Sequence, residues 1–388
     1  MLSHLKSRSV KFSWVGRSPE GSKATALLVP QYNEGSQEGF RARLNYFNEF
    51  AKQYSEVLDV IMIDDGSTDG SLQELEAFVS SNPCFFFLAS VAPNASKVGA
   101  LCMTTSSITH EYIILSDFDT DIFGIHLLNS SVEKLQNDTS LMGCYFRMLP
   151  YGGVGNVLLF QQLEYCLQRS IYKFHQKEKS IRVMPGAASF YKRKVLNSIY
   201  SQHSGLRSGE DREATLIGLK LGYKTFYFDD ILAMTRPPQS FNALIKQRIR
   251  WNLGYLETFV KERRYYFYEM GRLSKVGVIT FMDILVVLFM VLCPFIVFGL
   301  AISGLKFLLV FVAVLYIIYI SWVLNLLLLS PEESKEIKRN RSQSIFLFPF
   351  FKISVDYISW MGAIIRCVKK NIYSTKGSDR KKFYTEPK

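Results

Sequence analysis

Paired cysteines are missing from this sequence. Its six cysteines (Cys84, Cys102, Cys144, Cys166, Cys293 and Cys367) show no CxxC spacing and no clustering with the five histidines. That argues against a zinc site or a disulfide framework and for reduced structural thiols. Residues 1–20 lack an apolar run, so neither a signal peptide nor a transmembrane helix is expected there. Acidic charge is in short supply, with 34 Asp and Glu against 46 Lys and Arg and a net charge of +12. Residues 366–388 carry eight basic and two acidic residues, +6 of that total. Such a tail fits nucleic acid or an anionic cytoplasmic leaflet. Aromatic residues are sparse in it and apolar runs lie just upstream, so the expected partner is a membrane and not nucleic acid. What the chain has in plenty is apolar surface: 48% hydrophobic residues, with 30 Phe and 21 Tyr, too apolar for a disordered chain and rich for a purely soluble enzyme.

The first twenty residues are basic on a thin apolar background and read as disordered or lying on a membrane surface. From residue 21 to 235 the pattern is α/β. Short apolar runs at 24–29, 57–63, 85–89 and 112–115 read as buried strands, and helical spacing returns at 40–54, 71–79 and 98–107. Strands alternating with helices predict a mostly parallel, Rossmann-like doubly wound sheet. Ligands of such sheets bind outside the strand C-terminal ends, where the loops QYNEGS, DDGSTDGS and SDFDTD would gather. Residues 126–235 are less regular, with helical patterns at 126–136, 156–174 and 212–221 and a strand at 224–228.

Residues 236–275 hold Gln247-Arg248-Ile249-Arg250-Trp251 and a Tyr- and Phe-rich basic stretch that suits amphipathic helices in the headgroup plane. If helical, Gln247, Arg250 and Trp251 share one face at i, i+3 and i+4. The alternative for this pentapeptide is an ordinary helix surface with Trp251 packed inward. A membrane region at 276–366 follows. Residues 276–303 are long enough to span with tilt, and 307–329 form a second span after a tight turn. Basic flanks put both ends of this hairpin in the cytoplasm. The third apolar segment, 345–365, carries Pro349, Lys352 and Asp356, and a full span would export the basic tail 367–388. A re-entrant or interfacial course is favoured over a span.

Asp117 and Asp119 follow a strand with one residue between them, a spacing at which hard carboxylate oxygens can hold Mg²⁺ or Mn²⁺ with substrate phosphates completing the shell. Solvated acidic pairs after strands are also common. Asp64-Asp65-Gly66-Ser67 offers acceptors for an imide N–H and a ribose hydroxyl, or else a turn that caps the helix near Ser71. Lys97, ahead of a helix, could meet a phosphate at that helix's N-terminus. Asp211, in Ser208-Gly209-Glu210-Asp211, is the candidate general base for transfer to a hydroxyl. Neighbouring Glu210 could raise its pKa, while an N-cap role is the competing explanation.

Taken in order, PQYNE, IDDGSTDGS, a Lys-x-Gly-Ala element, DFD, PGAASFYKR, GED and QRIRW resemble the membrane-integrated family 2 inverting glycosyltransferases. These include the cellulose, chitin, hyaluronan and poly-N-acetylglucosamine synthases, and ceramide glucosyltransferase. The resemblance covers residues 24–255. It implies a GT-A catalytic domain at 21–235 followed by interfacial helices and an α-helical membrane region. It further implies a UDP-sugar donor, a metal-dependent reaction with Mg²⁺ or Mn²⁺, and a β-linkage to a growing polysaccharide or oligosaccharide. By resemblance, Tyr32, Glu34, Asp64 or Asp65, Lys97, Asp117 and Arg250 would contact the donor. Asp117 and Asp119 would hold the metal. Gly186, Glu210, Gln247 and Trp251 would line the acceptor site, and Asp211 would be the base. The implied location is an integral protein of the cell or inner membrane with a cytoplasmic catalytic domain. Polymer synthases usually carry transmembrane helices before the catalytic domain too, and two or three helices are few for a polysaccharide channel. Export would then call for a homo-oligomer or a partner protein. Single-sugar transfer to a membrane lipid is the alternative.

Overall fold

A computed structural model of the chain describes residues 5, 8–81, 83–153, 155–176, 183–205, 208–329 and 345–376. The basic loop at 335–341 and the end of the basic tail lie outside the described residues. The chain divides into two compact units, Met1–Met148 with Ile181–Thr235, and Leu149–Ser180 with Arg236–Lys388.

The strands of the first unit are β1 (Lys11–Val15), β2 (Thr25–Gln31), β3 (Leu58–Asp64), β4 (Phe87–Ala92), β5 (Tyr112–Leu115), β6 (Thr120–Phe123), β7 (Leu141–Pro150), β8 (Ser189–Lys192) and β9 (Lys224–Thr235). They form one nine-stranded sheet in the order β1-β4-β3-β2-β5-β8-β7-β9-β6. Its centre is parallel: β2 pairs with β3 and β5, and β3 with β4. Every residue of β2 and β3 is buried, as central strands covered on both faces require. The helices α1 (Phe40–Gln53), α2 (Ser71–Ser81), α3 (Lys97–Ser107) and α4 (Leu128–Asn137) follow β2, β3, β4 and β6 in the chain. Leu44 and Phe47 of α1 join Leu27, Val29, Val60, Met62 and Ile114 in the main core. The parallel strand order places β2 and β5 side by side at the point where the winding reverses, where such sheets open a crevice beyond their C-terminal ends.

Several sequence expectations shift. The first strand does not stop at Pro30; β2 runs through it to Gln31, paired with Asp64. The N-terminal segment is not loose throughout: β1 pairs antiparallel with β4, Lys11 opposite Ala92 and Val15 opposite Leu88. Its Phe12 and Trp14 rings meet edge to face at 5.2 Å, the period-2 alternation of an edge strand. β6, β7 and β8 were not expected, and β9 is longer than the 224–228 strand.

The second unit is helical: α5 (Asn156–Gln176) and, after α6 (Arg193–Gln202) and α7 (Glu210–Lys220) of the first unit, α8 (Phe241–Lys261), α9 (Arg263–Gly271), α10 (Lys275–Ser303), α11 (Leu305–Leu329) and α12 (Phe348–Lys376). Ser240 caps α8 by accepting from the Ala243 N–H at 3.2 Å, and Ser274 caps α10 through Gly277 at 3.1 Å. α10 is long and apolar enough to cross a membrane, and it leaves Phe281, Phe295, Phe298 and Ile302 exposed. The third apolar segment is the start of α12, which packs along α8. Gly362 makes the close approach possible, because a Cβ there would lie 2.7 Å from Ile249 Cδ1. Charges also join these helices. Glu164 of α5 pairs with Arg248 of α8 and, at 3.3 Å, with Lys352 of α12, which pairs in turn with Asp356. Burial works against the Glu164 charge, but Arg248 and Lys352 hold its carboxyl below the usual range.

Candidate active site

Loops leaving β2, β3, β4 and β5 and the first turn of α7 bring the first unit's chemistry-bearing side chains together. Lys97, the first residue of α3, pairs with the Asp117 carboxylate beyond β5. Burial opposes its charge, yet Asp117, Glu210 and Asp211 hold the ammonium well above its ordinary value. A small cavity is lined by Lys97, Met184, Pro185, Gly186, Tyr191, Glu210 and Asp211, among others. Gly186 sits close to both Lys97 and Asp211. A Cβ there would stand 3.1 Å from Lys97 Nζ and 3.9 Å from Asp211 Cβ.

Asp211 does not cap α7. The N-cap is Gly209, at φ 145°, a conformation that favours glycine, and glycine offers no side chain to cap with. From inside the first turn, the Asp211 carboxylate accepts the Arg212 N–H at 2.8 Å, one of the donors a helix start leaves free. Its carbonyl accepts from the Thr215 hydroxyl at 2.8 Å, and that hydroxyl accepts the Met184 N–H, also at 2.8 Å. Burial raises the Asp211 carboxyl, with Asp117 adding to the effect, and burial likewise raises Glu210, with Asp211 adding. A raised carboxyl is a better proton acceptor, which is what a general base needs.

Asp117 and Asp119 fit a divalent cation. Desolvation and then the Asp117 charge push Asp119 up to about 6, a repulsion that a cation would relieve. Glu34, beyond β2, is raised by burial and then by Asp119, Asp69 and Asp117. No group of three or more His, Cys, Asp or Glu side chains forms a ready cage among the described residues. Substrate oxygens and water would therefore complete the shell.

Asp64 and Asp65 are turned inward, 0% and 3% exposed. Asp64 accepts the Gly66 and Ser67 N–H groups, each at 3.1 Å, and the Gln31 amide. Asp65 accepts the Ala95 N–H at 2.7 Å and the Asn94 amide at 3.0 Å. Both therefore lock the crevice wall together, beside the exposed Tyr32 ring. The cap of α2 falls to Asp69, which accepts the Ser71 N–H at 3.0 Å.

Gln247, Arg250 and Trp251 lie on α8 of the second unit, with Arg250 and Trp251 exposed. Arg248, a residue the motif does not single out, stacks its guanidinium 4.1 Å from the Trp251 ring centroid. Sequence reading also missed Arg43. The signal was present: Arg43 shares the buried stripe of α1 with Phe40, Leu44, Phe47 and Ala51, where a lone charge needs partners.

The profile for glycosyl transferase family group 2 matches residues 135–330, and that for glycosyl transferase family 2 matches residues 27–200. An N-acetylglucosaminyltransferase of Rhizobium meliloti (strain 1021) is 25% identical over 241 residues, which are 59% of this chain and 54% of the relative. One of Mesorhizobium japonicum is 25% identical over 250 residues, 61% of this chain and 57% of the relative. The chain thus spans about half the length of the curated relatives it matches. Among solved structures, the mannosyltransferase PcManGT from Pyrobaculum calidifontis, in complex with GDP-Man and Mn²⁺, superposes with a TM-score of 0.52 at 16% identity, covering 92% of this chain and 90% of that one. At that identity the likeness speaks for the fold. The chain belongs to glycosyl transferase family group 2 and is a glycosyltransferase of the GT-A fold.

Proposed function

We propose that this enzyme transfers a sugar, N-acetylglucosamine first, from a UDP-sugar to a hydroxyl of a growing saccharide at a membrane surface. The observation that carries this function is the gathering of Lys97, Asp117, Asp119, Glu210 and Asp211 beyond the strand ends, with Asp211 raised by burial. Asp211 takes the proton of the acceptor hydroxyl as its oxygen bonds to the anomeric carbon. The bond from that carbon to the UDP oxygen breaks, the pair leaves with UDP, and the configuration inverts. Lys97 faces the leaving diphosphate, and Asp117 and Asp119 would hold Mg²⁺ or Mn²⁺. A bound cation supplies neutralisation of the charge developing on the diphosphate. Tyr32 and Glu34, with the wall that Asp64 and Asp65 fix, are assigned to the nucleoside end. Gly186 and Glu210 flank the base. Arg250 and Trp251 keep the roles named from the family resemblance, on diphosphate and acceptor, with Gln247 beside them.

N-acetylglucosamine is supported by the relatives, which are N-acetylglucosaminyltransferases, and metal use by the Mn²⁺ in the PcManGT complex. Membrane attachment is supported by α10 and by α9 with its surrounding Phe267, Tyr268 and Leu273, all well exposed beside Arg263, Arg264 and Arg272. In this proposal α10 and α11 form an integral hairpin with the catalytic unit on the cytoplasmic side. The test is UDP release from a panel of UDP- and GDP-sugars with Mn²⁺, followed by sizing of the product. Release from UDP-N-acetylglucosamine with a ladder or polymer is expected. One organic-extractable product would move the acceptor to a lipid, and no release from any donor would overturn the function.

A further inference from the structure

The loop that carries Asp117 and Asp119 is held from below by one side chain. Arg43 projects from α1 and is 4% exposed. Its Nε donates to the Phe118 carbonyl at 2.8 Å and its Nη2 to the Thr120 carbonyl at 3.0 Å. Its Nη1 donates to the Asp121 carboxylate. The two carbonyls lie on either side of Asp119, so the guanidinium grips the main chain before and after that residue. The Tyr46 and Phe47 rings flank the guanidinium with centroids 4.6 and 4.9 Å away. The same helix reaches further along the loop. The Tyr46 hydroxyl accepts the Ile122 N–H at 2.8 Å, and Phe118 packs against Phe40 and Phe47 with centroids 5.3 and 6.0 Å apart. A guanidinium is always charged and offers donors in a rigid planar fork. Here the fork fits two carbonyls and a carboxylate at once, an arrangement that one lysine ammonium on a flexible stem cannot reproduce.

Packing alone would not need this. A methionine could fill the space between Tyr46 and Phe47, but it would leave the Phe118 and Thr120 carbonyls without these partners. A charge is kept buried where it fixes a stretch of backbone that carries two carboxylates, Asp117 and Asp119, that repel each other.

We propose that Arg43 is a positioning residue that holds the Asp117–Asp119 loop in the shape that receives the divalent cation. It touches neither cation nor substrate and acts through the backbone on either side of Asp119. The inference rests on the proposed metal use of the same site.

The test measures Mn²⁺ binding to the full chain in detergent with UDP present, following free Mn²⁺ by electron paramagnetic resonance. Arg43→Gln is expected to weaken Mn²⁺ binding about 10- to 100-fold, the range for groups that orient metal ligands from behind. Metal-free UDP affinity should stay unchanged. Arg43→Lys should bind nearly as poorly as Arg43→Gln, because charge without the fork does not restore the loop. Asp121→Asn keeps both carbonyl bonds and serves if the arginine variants fail to fold; its expected loss is about fivefold. Mn²⁺ affinity within a factor of about two of the parent in a folded Arg43→Gln protein, or full recovery in Arg43→Lys, would overturn the clamp. So would an unaltered Asp121→Asn protein where only that variant folds. If the parent itself binds no Mn²⁺ or Mg²⁺ with UDP, metal use falls and takes the clamp with it, an outcome distinct from equal binding by parent and variant.

Discussion

Each unit contains a cluster of charged side chains, and the two are balanced differently. In the helical unit, Glu164 and Asp356 meet Arg248 and Lys352, two charges of each sign joined across α5, α8 and α12. In the sheet unit, five carboxylates, Glu34, Asp117, Asp119, Glu210 and Asp211, face three cations: the Lys97 ammonium, the Arg212 guanidinium beside Asp211, and Arg43 engaged beneath the loop. A closed, neutral network has no demand left for a ligand and serves to fix which helices touch. A cluster with carboxylates in excess stays under electrostatic load until something positive or proton-bearing arrives, which supports the proposed site. Charge count, more than burial, separates the two clusters.

The largest expected break in this comparison is Asp211→Asn. Transfer should fall about 1,000-fold while UDP affinity holds, read from turnover and from UDP titration; equal loss of both would remove Asp211 as the base. Next come two carboxylate removals with opposite signs. Glu164→Ala leaves Arg248 buried without its carboxylate and Lys352 with Asp356 alone, and should cost about 3–5 kcal/mol of stability in denaturant unfolding. Asp119→Asn should abolish Mn²⁺ binding yet raise the metal-free Tm. The sign follows from linkage: a carboxyl raised in the folded state penalises folding above that pKa, and Asn carries no such charge. A Tm drop in both variants would erase the distinction. The acid side sharpens it further. Because the ion competes with a proton on Asp119, Mn²⁺ affinity should fall as pH drops through about 6, by up to about tenfold per unit. Titration at fixed UDP reads this directly. The smallest effect is Gly186→Ala. Its Cβ would stand 3.1 Å from Lys97 Nζ, the end of a flexible chain that can move aside. A loss of turnover of about three- to tenfold is expected from a displaced lysine, and no change would show that Lys97 has slack.

The central strands and the loops at their ends were readable because a strand buried on both faces leaves an unbroken apolar run that stops at polar residues. β2, β3 and β5 appear where the runs at 24–29, 57–63 and 112–115 predict them. The rest of the sheet was hidden for local reasons. β6 begins inside the acidic motif at Thr120, β8 is four residues long, and β7 shows no clean alternation because six of its first residues are all buried. The site divides the same way. Lys97, Asp117, Asp119 and Asp211 stand in recognisable order, whereas Arg43 and Arg248 matter through backbone and ring contacts that no linear spacing announces. The turn at Asp64 was one of two readings open in the sequence, but the bonds from Asp65 to Asn94 and Ala95 join residues about 30 apart and had no local signal.

The Thr215 hydroxyl ties the main chain of Asp211 to Met184, whose neighbours Pro185 and Gly186 line the cavity. One hydrogen-bonding oxygen therefore ties the backbone of the proposed base to the wall of the cavity. In the proposed mechanism a substrate that shifts either segment would be felt at the other, and by linkage that coupling would be the same in both directions.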